Sequence, residues 1–478
     1  MSKQKISCNL RILTETEYIT IIEELRATNI ALVAQNAKLV QEVKILGEKV
    51  VMLLKLLEAK GVKKDSHNSH LPPSNDIGGK KDIKSLREPS GKKSGGQPGH
   101  SGSTLKMKEV ADQVIELKSE YCAGCGSSLE GQEYQLKAKR QVVEIPPIEP
   151  IYKEYQQYGC RCGRCGKEQI AEFPEDVKAP IQYGNSIQAM VSYLSVYQYV
   201  PYNRLKKMFW DIFGVSLSEG SISNLLGKAA GKAKFVYEWI KTEISESKVV
   251  GGDETSAKVN GKKWWVWVWQ NALNTYLKMT DNRGFQTVAE EWPEGLPKAV
   301  MGSDRYGAQL KTSSRGKQLC LAHLLRDVKY LREKERHWVS EEIEKFIKDV
   351  FREKKKIVEK DEALERESEE ARGLENRLNE MLKEAIVAET SPETAKFQKA
   401  LIKHRNNLLV CLYEKEVPAD NNGSERAIRN VKVKQKVSGQ FKSGQGAFCV
   451  LRSVIDTLIK RKLDVLTYLN QIMQIQPE

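Results

Sequence analysis

The chain has 478 residues, a length that predicts several domains rather than a single hydrophobic core. Lys and Arg number 77 against 63 Asp and Glu, and the net charge of +14 favours a polyanionic partner. No apolar run reaches the ~20 residues of a membrane span, and no basic segment followed by an apolar run opens the chain. These features predict a cytoplasmic protein and argue against a membrane partner.

Residues 1–60 are predicted to form an N-terminal helix that self-associates as a coiled coil. Within 18–58, leucine recurs every seven residues, and a second series stands three residues before each leucine, as in the a and d positions of a heptad. Asn29 and Asn36 in that second series can pair across a two-stranded seam, which predicts a homodimer or a larger assembly. The alternative is an amphipathic helix that packs on its own protein. The two series are Leu25, Leu32, Leu39, Leu46 and Leu53, and Ile22, Asn29, Asn36, Val43 and Val50.

Residues 61–105 have the composition of a flexible basic linker. Segments such as Pro72-Pro73-Ser74 and Gly95-Gly96-Gln97-Pro98 leave too little apolar surface for a core. The lysines can contact phosphates, or the segment can be a plain tether.

Residues 106–178 are predicted to form a zinc ribbon that holds one Zn²⁺. Cys122 and Cys125 form one Cys-x-x-Cys-Gly motif, and Cys162 and Cys165 form another about 36 residues later. The glycine relieves crowding where backbone N–H groups turn toward sulfur. Nine cysteines are an odd number, which favours metal binding in a reducing compartment over a disulfide framework. Cys160 can compete as a ligand, and the alternative is a set of unmetallated thiols.

The two segments between these motifs, 141–145 and 151–158, have strand-like composition.

Residues 179–246 are predicted to contain a helix-turn-helix that binds DNA. One helix ends near Gly214, and the next is capped by Ser218 with Ile222 and Leu225 turned inward. An ordinary helical hairpin is the alternative. The candidate DNA contacts are Arg204, Lys206, Lys207, Ser221, Ser223 and Asn224.

Residues 247–335 predict the first part of a mixed sheet with flanking helices. Asp253 follows Val249-Val250 on the first strand, and Asp304 stands at the end of the fourth, so the two aspartates can be neighbours. Glu254 is a rival to Asp253, although strand alternation points it to the opposite face. The predicted strands lie at 249–253, 262–270, 274–280, 299–303 and 318–323, with a helix at 284–292 and another from Leu324.

The aromatic run within the second strand, Trp264–Trp269, is predicted to be core, with alternate side chains buried. Residues 336–417 are charged and helical, which predicts an inserted helical subdomain.

Residues 418–478 predict the C-terminal helices of the same core, with Glu425 on a helix rich in Lys and Arg. Helical spacing places Asn422, Glu425, Arg429 and Lys432 on one face. The carboxylate can hold a metal while the cations hold DNA phosphates. The further candidate DNA contacts on this surface are Arg426, Lys434, Lys436, Lys442 and Arg452.

Asp253, Asp304 and Glu425 together predict a catalytic metal site. Two or three carboxylates that converge on two Mg²⁺ or Mn²⁺ ions form the arrangement of two-metal phosphodiester chemistry. On a basic protein, this predicts an enzyme that cuts and rejoins DNA.

These residues together resemble the insertion-sequence sixty-six family of bacterial transposases, of the Asp-Asp-Glu type, over nearly the whole chain. The motifs that carry the resemblance include the paired cysteines, the Asp-Glu-Thr and Ser-Asp segments, Ala-His-Leu-Leu-Arg and Asn-Asn-Gly-Ser-Glu-Arg. The resemblance implies a multidomain α/β protein with a ribonuclease-H-like core and a triad at Asp253, Asp304 and Glu425. Lys432 matches the lysine that such enzymes keep seven positions after the glutamate, whereas Cys160 departs from the pattern.

The resemblance also implies the reaction and the partners. An activated water cuts the end of the element, and the freed 3′-OH then attacks target DNA, so the partners are double-stranded terminal repeats and target DNA. Accessory proteins of the same element and a location at the bacterial nucleoid are further implications. The alternatives are a catalytically inactive zinc-containing DNA-binding regulator and a junction or repair nuclease with the same fold.

Overall fold

The computed structural model describes residues 14–61, 99, 105–384, 386 and 390–475. The chain divides into two compact units, and each consists of several separate segments of the sequence. The predicted linker over 61–105 lies almost wholly outside the described residues. The first unit contains residues 1–78, 247–252 and 284–422, and the second contains 79–246, 253–283 and 423–478.

The N-terminal helix α1 spans Glu15–Gly61, so the helix predicted over 18–58 is confirmed. The leucines of the heptad series that lie before residue 52 are exposed, as are Ile22, Val43 and Val50. The structure leaves these side chains about half-exposed or more, and self-association stays a prediction.

The cysteine-containing segment folds into short hairpins in the second unit. Strands β1 (Gly159–Arg161) and β2 (Glu168–Ile170) are antiparallel, with Cys160 opposite Gln169. The strands predicted at 141–145 and 151–158 are wrong, because these described residues are in irregular structure. Their strand-like composition reflects side chains that suit a half-buried sheet surface. Here they lack a partner strand, and Ile145 and Ile151 are more than four-fifths exposed.

The helices that follow confirm the predicted boundaries of the helical pair. α3 ends at Gly214, which adopts a left-handed conformation with φ 64°. The Ser218 hydroxyl accepts a hydrogen bond of 2.9 Å from the Ser221 N–H at the start of α4, while Ile222 and Leu225 are buried. These elements are α2 (Asn185–Ser192), a π-helical turn (Tyr193–Tyr197), α3 (Tyr202–Phe213), α4 (Glu219–Lys232) and α5 (Lys234–Ser245).

The central sheet has five strands in the order β5-β4-β3-β6-β7. In the first unit, β3 pairs in parallel with β6, and β6 pairs in parallel with β7. In the second unit, β4 and β5 are antiparallel. The sheet is therefore mixed, as predicted. The strands are β3 (Val249–Val259), β4 (Lys262–Gln270), β5 (Thr275–Thr280), β6 (Leu296–Ser303) and β7 (Ser314–Leu319), with α6 (Phe285–Glu291) and α7 (Gly307–Lys311) between them.

The aromatic strand β4 departs from the predicted alternation. Val266, Trp267, Val268 and Trp269 are all fully buried, so this part of the strand is covered on both faces. Together with Tyr276 on β5, the two tryptophans form part of the core of the second unit.

The predicted insertion over 336–417 is helical, and its helices share one apolar core with β6 and β7 of the first unit. Val300 and Leu319 from the sheet belong to the same cluster as Ile343, Leu378 and Leu412. The helices of the insertion are α9 (Trp338–Lys360), α10 (Glu369–Lys383), α11 (Pro392–Lys403) and α12 (Val410–Tyr413), with a 3₁₀ turn at Arg405–Asn407. α8 (Leu321–Lys334) precedes them.

The C-terminal part of the chain is helical, as predicted. α13 spans Asn422–Ser438, α14 spans Gln445–Lys460 and α15 spans Val465–Gln474. α14 packs against β5, α4 and α5 within the second unit. None of the helices in the described part of the chain combines the length and apolar character that crossing a membrane requires.

Candidate active site

Asp304 directly follows β6, which ends at Ser303. One carboxylate oxygen, Oδ1, accepts a hydrogen bond of 2.8 Å from the Tyr306 N–H, and the Ser303 hydroxyl donates to the Asp304 carbonyl at 3.0 Å. The half-buried aspartate is therefore held by the turn between β6 and α7.

Gly252, the second glycine of the Gly-Gly pair before Asp253, leaves space beside β3 that two other side chains fill. A Cβ atom at Gly252 would lie 2.7 Å from Gln309 Oε1 and 2.7 Å from Met301 Cε. Gln309 lies on α7, the helix that follows Asp304. Any side chain at position 252 would therefore displace the ends of the Gln309 and Met301 side chains.

Asn421, immediately before α13, is a site residue that the sequence analysis missed. Its side-chain Nδ2 donates to the Gly252 carbonyl at 2.8 Å, and its backbone N–H donates to Cys320 Sγ at 3.2 Å. The residue is only 2% exposed. Asn421 therefore ties the start of α13 to the peptide unit that precedes Asp253.

In the second unit, α13 runs along β3 in the same direction. Lys432 Nζ donates to the Ser256 carbonyl at 2.7 Å, and beyond the helix the Phe441 carbonyl accepts from the Asn260 N–H at 2.9 Å. Burial lowers the pKa of Lys432.

The spacing of these contacts relates Glu425 to Asp253. Seven helical residues separate Glu425 from Lys432, a rise of about 10 Å. Three strand residues separate Asp253 from Ser256, also a rise of about 10 Å. The two acids, each half-buried, therefore stand at the same level along α13 and β3.

The first turn of α13 also contacts the end of β4. A Cβ atom at Gly423 would lie 2.6 Å from Gln270 Nε2, and Gln270 Nε2 donates to the Ser424 hydroxyl at 3.5 Å. Glycine at this position allows the helix to begin directly against Gln270, one residue before the Ser424–Glu425 pair.

Glu254, the rival to Asp253, is engaged in an ion pair. Its side chain is 2% exposed, and Oε1 accepts hydrogen bonds from Arg283 Nη2 at 2.8 Å and Nε at 3.2 Å. The Arg283 guanidinium also lies 4.5 Å from the centre of the Trp265 ring. These contacts give Glu254 a structural role in the second unit.

No group of three or more His, Cys, Asp or Glu side chains is arranged to hold a metal ion in the part of the chain that the structure describes. This finding covers the three acids and the paired cysteines alike. The structure thus gives the local anchoring of each acid without a formed three-residue metal site.

Some of the predicted DNA contacts already form an ion pair or hydrogen bond with another side chain, and others are exposed side chains. Lys207 is exposed but forms an ion pair with Asp211 at 2.9 Å, and half-buried Ser221 contacts the Ser218 hydroxyl at 2.9 Å. Asn422 Nδ2 donates to Asp420 at 2.6 Å. The other exposed candidates are Arg204, Lys206, Asn224, Arg426, Arg429, Lys436 and Lys442, and Ser223 is half-buried.

Two of the predicted surface cations contact other parts of the second unit. Arg452 is 2% exposed and forms an ion pair with Asp456 one helical turn away. Lys434 Nζ donates to the Ser195 carbonyl of the π-helical turn at 3.4 Å, and burial lowers its pKa to about 8. The prediction that Arg452 extends the basic surface is wrong, because its side chain is buried in the helical core of the second unit. Lys434 is half-buried, and its contact with DNA stays a prediction.

The two cysteine pairs have the same local structure. Cys122 N–H donates to the Ser127 carbonyl at 2.9 Å, and Gly126 N–H donates to the Cys122 carbonyl at 2.8 Å. The equivalent bonds at the second pair join Cys162 to Lys167 and Gly166 to Cys162, at the same two distances. Gly126 and Gly166 have φ 75° and 72°, a conformation that favours glycine.

Two cysteines in these turns form hydrogen bonds that favour the thiolate form. The Ser127 hydroxyl, followed by the Ser127 N–H, lowers the pKa of Cys125. The N–H groups of Cys165 and Arg164 lower the pKa of Cys162. Donors directed at sulfur stabilise the thiolate, which is the form that binds zinc. Cys160 is exposed on β1.

The comparison with known families covers the chain from just before α2 through the sheet, the helical insertion and α13 to the first residues of α14. The chain matches the family model described as "Transposase IS66 family" over residues 180–448, more than half of its length. No curated protein matches it. The resemblance seen in the sequence motifs is confirmed over these residues, and the chain belongs to the IS66 family of transposases.

Proposed function

We propose that this protein cuts the ends of an insertion sequence and joins the freed 3′-OH ends to target DNA, with Asp253, Asp304 and Glu425 as the ligands of two Mg²⁺ or Mn²⁺ ions. The observation that carries the proposal is the pair of contacts that bracket Asp253. Asn421 contacts Gly252 on one side, and Lys432 contacts Ser256 on the other. Glu425 lies between these two anchors in the sequence.

The register of the parallel strands supports the place of Asp304 in the same site. Gly251 is paired with Gly302, and Asp253 and Asp304 each follow their glycine by two residues. Residues at equal distances beyond a bonded pair of parallel strands lie at the same level along the two strands. Carboxylate oxygens are the ligands that Mg²⁺ and Mn²⁺ prefer, so the residues fit these ions.

The protein's own residues would hold and orient the DNA during the reaction. When bound, the metal ions would supply activation of water and stabilisation of the leaving 3′ oxygen. The exposed side chains of Arg426, Arg429 and Lys436 share α13 with Glu425 and would bind phosphates near the scissile bond. Lys432 holds α13 against β3, and Lys434 holds it against the π-helical turn. Both therefore support the helix from its inner side.

The helical pair α3–α4 would bind the terminal repeats of the element. Arg204 and Asn224 are exposed, and Lys207 can exchange its partner Asp211 for a phosphate. Binding to element ends and to target DNA would place the protein at the nucleoid.

The cysteine turns and the N-terminal helix would organise the assembly. One Zn²⁺ held by Cys122, Cys125, Cys162 and Cys165 fits the matching turns and the donors directed at their sulfur atoms. The exposed heptad stripe of α1 would pair with a second copy of the chain as a coiled coil. Accessory proteins of the same element are a further expected partner class.

Substitution of the three acids tests the proposal. Asp253→Asn, Asp304→Asn and Glu425→Gln should each reduce metal-dependent cleavage of end DNA by more than about a hundredfold, beyond the loss typical of residues that only support a ligand. Binding of the same DNA should persist, as measured by a mobility shift. Glu254→Gln is the matched control, since its carboxylate is engaged with Arg283. Cleavage at the parental rate by any of the three variants would remove that residue from the metal site.

The products of the unmodified protein separate the alternatives. Joined products with target DNA support a transposase. Cleavage without joining would indicate a junction or repair nuclease, and binding without metal-dependent cleavage would indicate a regulator.

A further inference from the structure

Lys460, at the last position of α14, places its ammonium group at the end of strand β4. Its Nζ donates to Gln270 Oε1 at 2.7 Å, to the Asn271 carbonyl at 2.7 Å and to the Asn274 carbonyl at 3.0 Å. These are the three hydrogen bonds that an ammonium group can donate. Burial lowers the pKa of Lys460 to about 8. A desolvated cation with every donor engaged has a fixed geometry, unlike a solvated surface lysine.

Gln270 connects this lysine to the helix that carries Glu425. Lys460 holds the Oε1 atom, which leaves Nε2 of the same amide directed at Ser424, 3.5 Å away. Nε2 also occupies the space that a side chain at Gly423 would need. The amide of Gln270 thus sets how closely the first turn of α13 approaches β4, and Lys460 sets the orientation of that amide. All of these residues belong to the second unit.

We propose that Lys460 is a positioning residue that acts through Gln270 to fix the first turn of α13, and with it the Glu425 carboxylate, for metal binding. The inference rests on the proposed role of Glu425 as a metal ligand. Lys460 itself contacts neither DNA nor metal in this scheme. Its hydrogen bonds are to a side-chain amide and two backbone carbonyls, so it acts only by limiting the positions that Glu425 can take.

Neutral replacement of the lysine gives the first test. Lys460→Met keeps the length of the side chain and removes the three donated bonds. We expect the Mg²⁺ concentration at half-maximal single-turnover cleavage of end DNA to rise about 10–100-fold, the range typical when support for a ligand is lost. The dissociation constant for the same DNA without metal should be unchanged, and the cleavage rate should recover at high Mg²⁺.

A second variant removes the Gln270 amide, through which Lys460 contacts the first turn of α13. Gln270→Met leaves Lys460 its two backbone carbonyls and removes both amide contacts. It should raise the half-saturating Mg²⁺ concentration in the same direction, and hydrogen exchange at the backbone amides of Arg426 and Ala427 should be faster in both variants. This variant and the exchange measurement keep the test decisive even if Lys460→Met does not fold.

Lys354→Met is the matched control because Lys354 is also a buried lysine bound to carbonyl oxygens. Its Nζ donates to Cys411 and Lys415 at 2.8 Å each and to Glu414 at 3.3 Å, all within the first unit. The control should leave the Mg²⁺ dependence unchanged, even if it alters stability. An equal shift in this control would overturn the inference, because loss of any buried lysine would then suffice.

Cleavage by Glu425→Gln and the Mg²⁺ dependence of the other two variants together separate the role of Lys460 from that of Glu425. If Glu425→Gln abolishes cleavage while both Lys460→Met and Gln270→Met retain the parental Mg²⁺ dependence, only the role of Lys460 is refuted. If Glu425→Gln cleaves at the parental rate, Glu425 is not a ligand and both are refuted.

Discussion

At the scale of single residues, Gly252 leaves room for the side chains of Gln309 and Met301 beside β3. The Val-Val-Gly-Gly-Asp motif attracts notice in the sequence because of its aspartate. The structure gives its second glycine a steric role, because Gln309 and Met301 already occupy the space that a Cβ would take. A Cβ atom added at Gly302, on the neighbouring strand, would have no atom of the described residues within 4 Å apart from its chain neighbours.

This difference predicts unequal effects of the same substitution. Gly252→Ala should lower the free energy of unfolding by about 1–3 kcal/mol, the usual cost of inserting a methyl group into a closely packed site. Gly302→Ala should change it by less than about 0.5 kcal/mol, as at sites without a special constraint. Urea denaturation monitored by tryptophan fluorescence measures both. Equal destabilisation by the two variants would contradict the steric explanation.

At the scale of elements, the sequence predicts most accurately where local signals act. The end of α3 at Gly214, the start of α4 after Ser218 and the limits of β4 follow from glycine, a capping hydroxyl and β-branched or aromatic residues. The predictions are wrong where the conformation or burial of a residue depends on contacts with residues distant in sequence. Ile151 lacks a partner strand, and Arg452 finds a buried aspartate.

In the candidate site, too, the sequence indicates residues with a local signal and misses residues whose role depends on distant partners. The sequence alone indicated the three acids, because each follows a β-prone stretch or opens a basic helix. It did not indicate Asn421, Gln270 or Lys460. Their partners are distant in sequence, and Lys460 and Gln270 are 190 positions apart. Only the folded chain brings such pairs into contact.

The paired turns of the cysteine segment lead to a prediction for metal content. The purified protein should contain one Zn²⁺ per chain, and Cys122→Ser and Cys162→Ser should each lower this content strongly, because each removes one of four thiolate ligands. Cys160→Ser is the control, since Cys160 lies outside both turns and is exposed. Release of zinc to a colorimetric chelator measures the content. Loss of zinc in the Cys160 variant alone would assign the ligands differently.

At the scale of the whole molecule, α1 exposes its apolar heptad positions along many turns. Leu25 is 63% exposed and Leu46 is 58% exposed, although leucine at such positions usually contacts a partner helix. The assembly that binds DNA ends is therefore expected to contain more than one copy of the chain.

Removal of residues 1–60 should reduce the assembled mass to that of a single chain. The physical reason is that the shortened protein loses the entire heptad stripe. Light scattering coupled to size-exclusion chromatography measures the mass of both forms at equal protein concentration. The same number of chains in both assemblies would show that the association surface lies elsewhere.

The matched cysteine turns have a consequence for how the protein would respond to loss of metal. Each turn is closed by its own backbone hydrogen bonds and its own left-handed glycine. The ion would therefore join two ready-made loops and would not be needed to shape either one. A chelated sample should regain its zinc as fast as the ion arrives, with no slow refolding step before ligation.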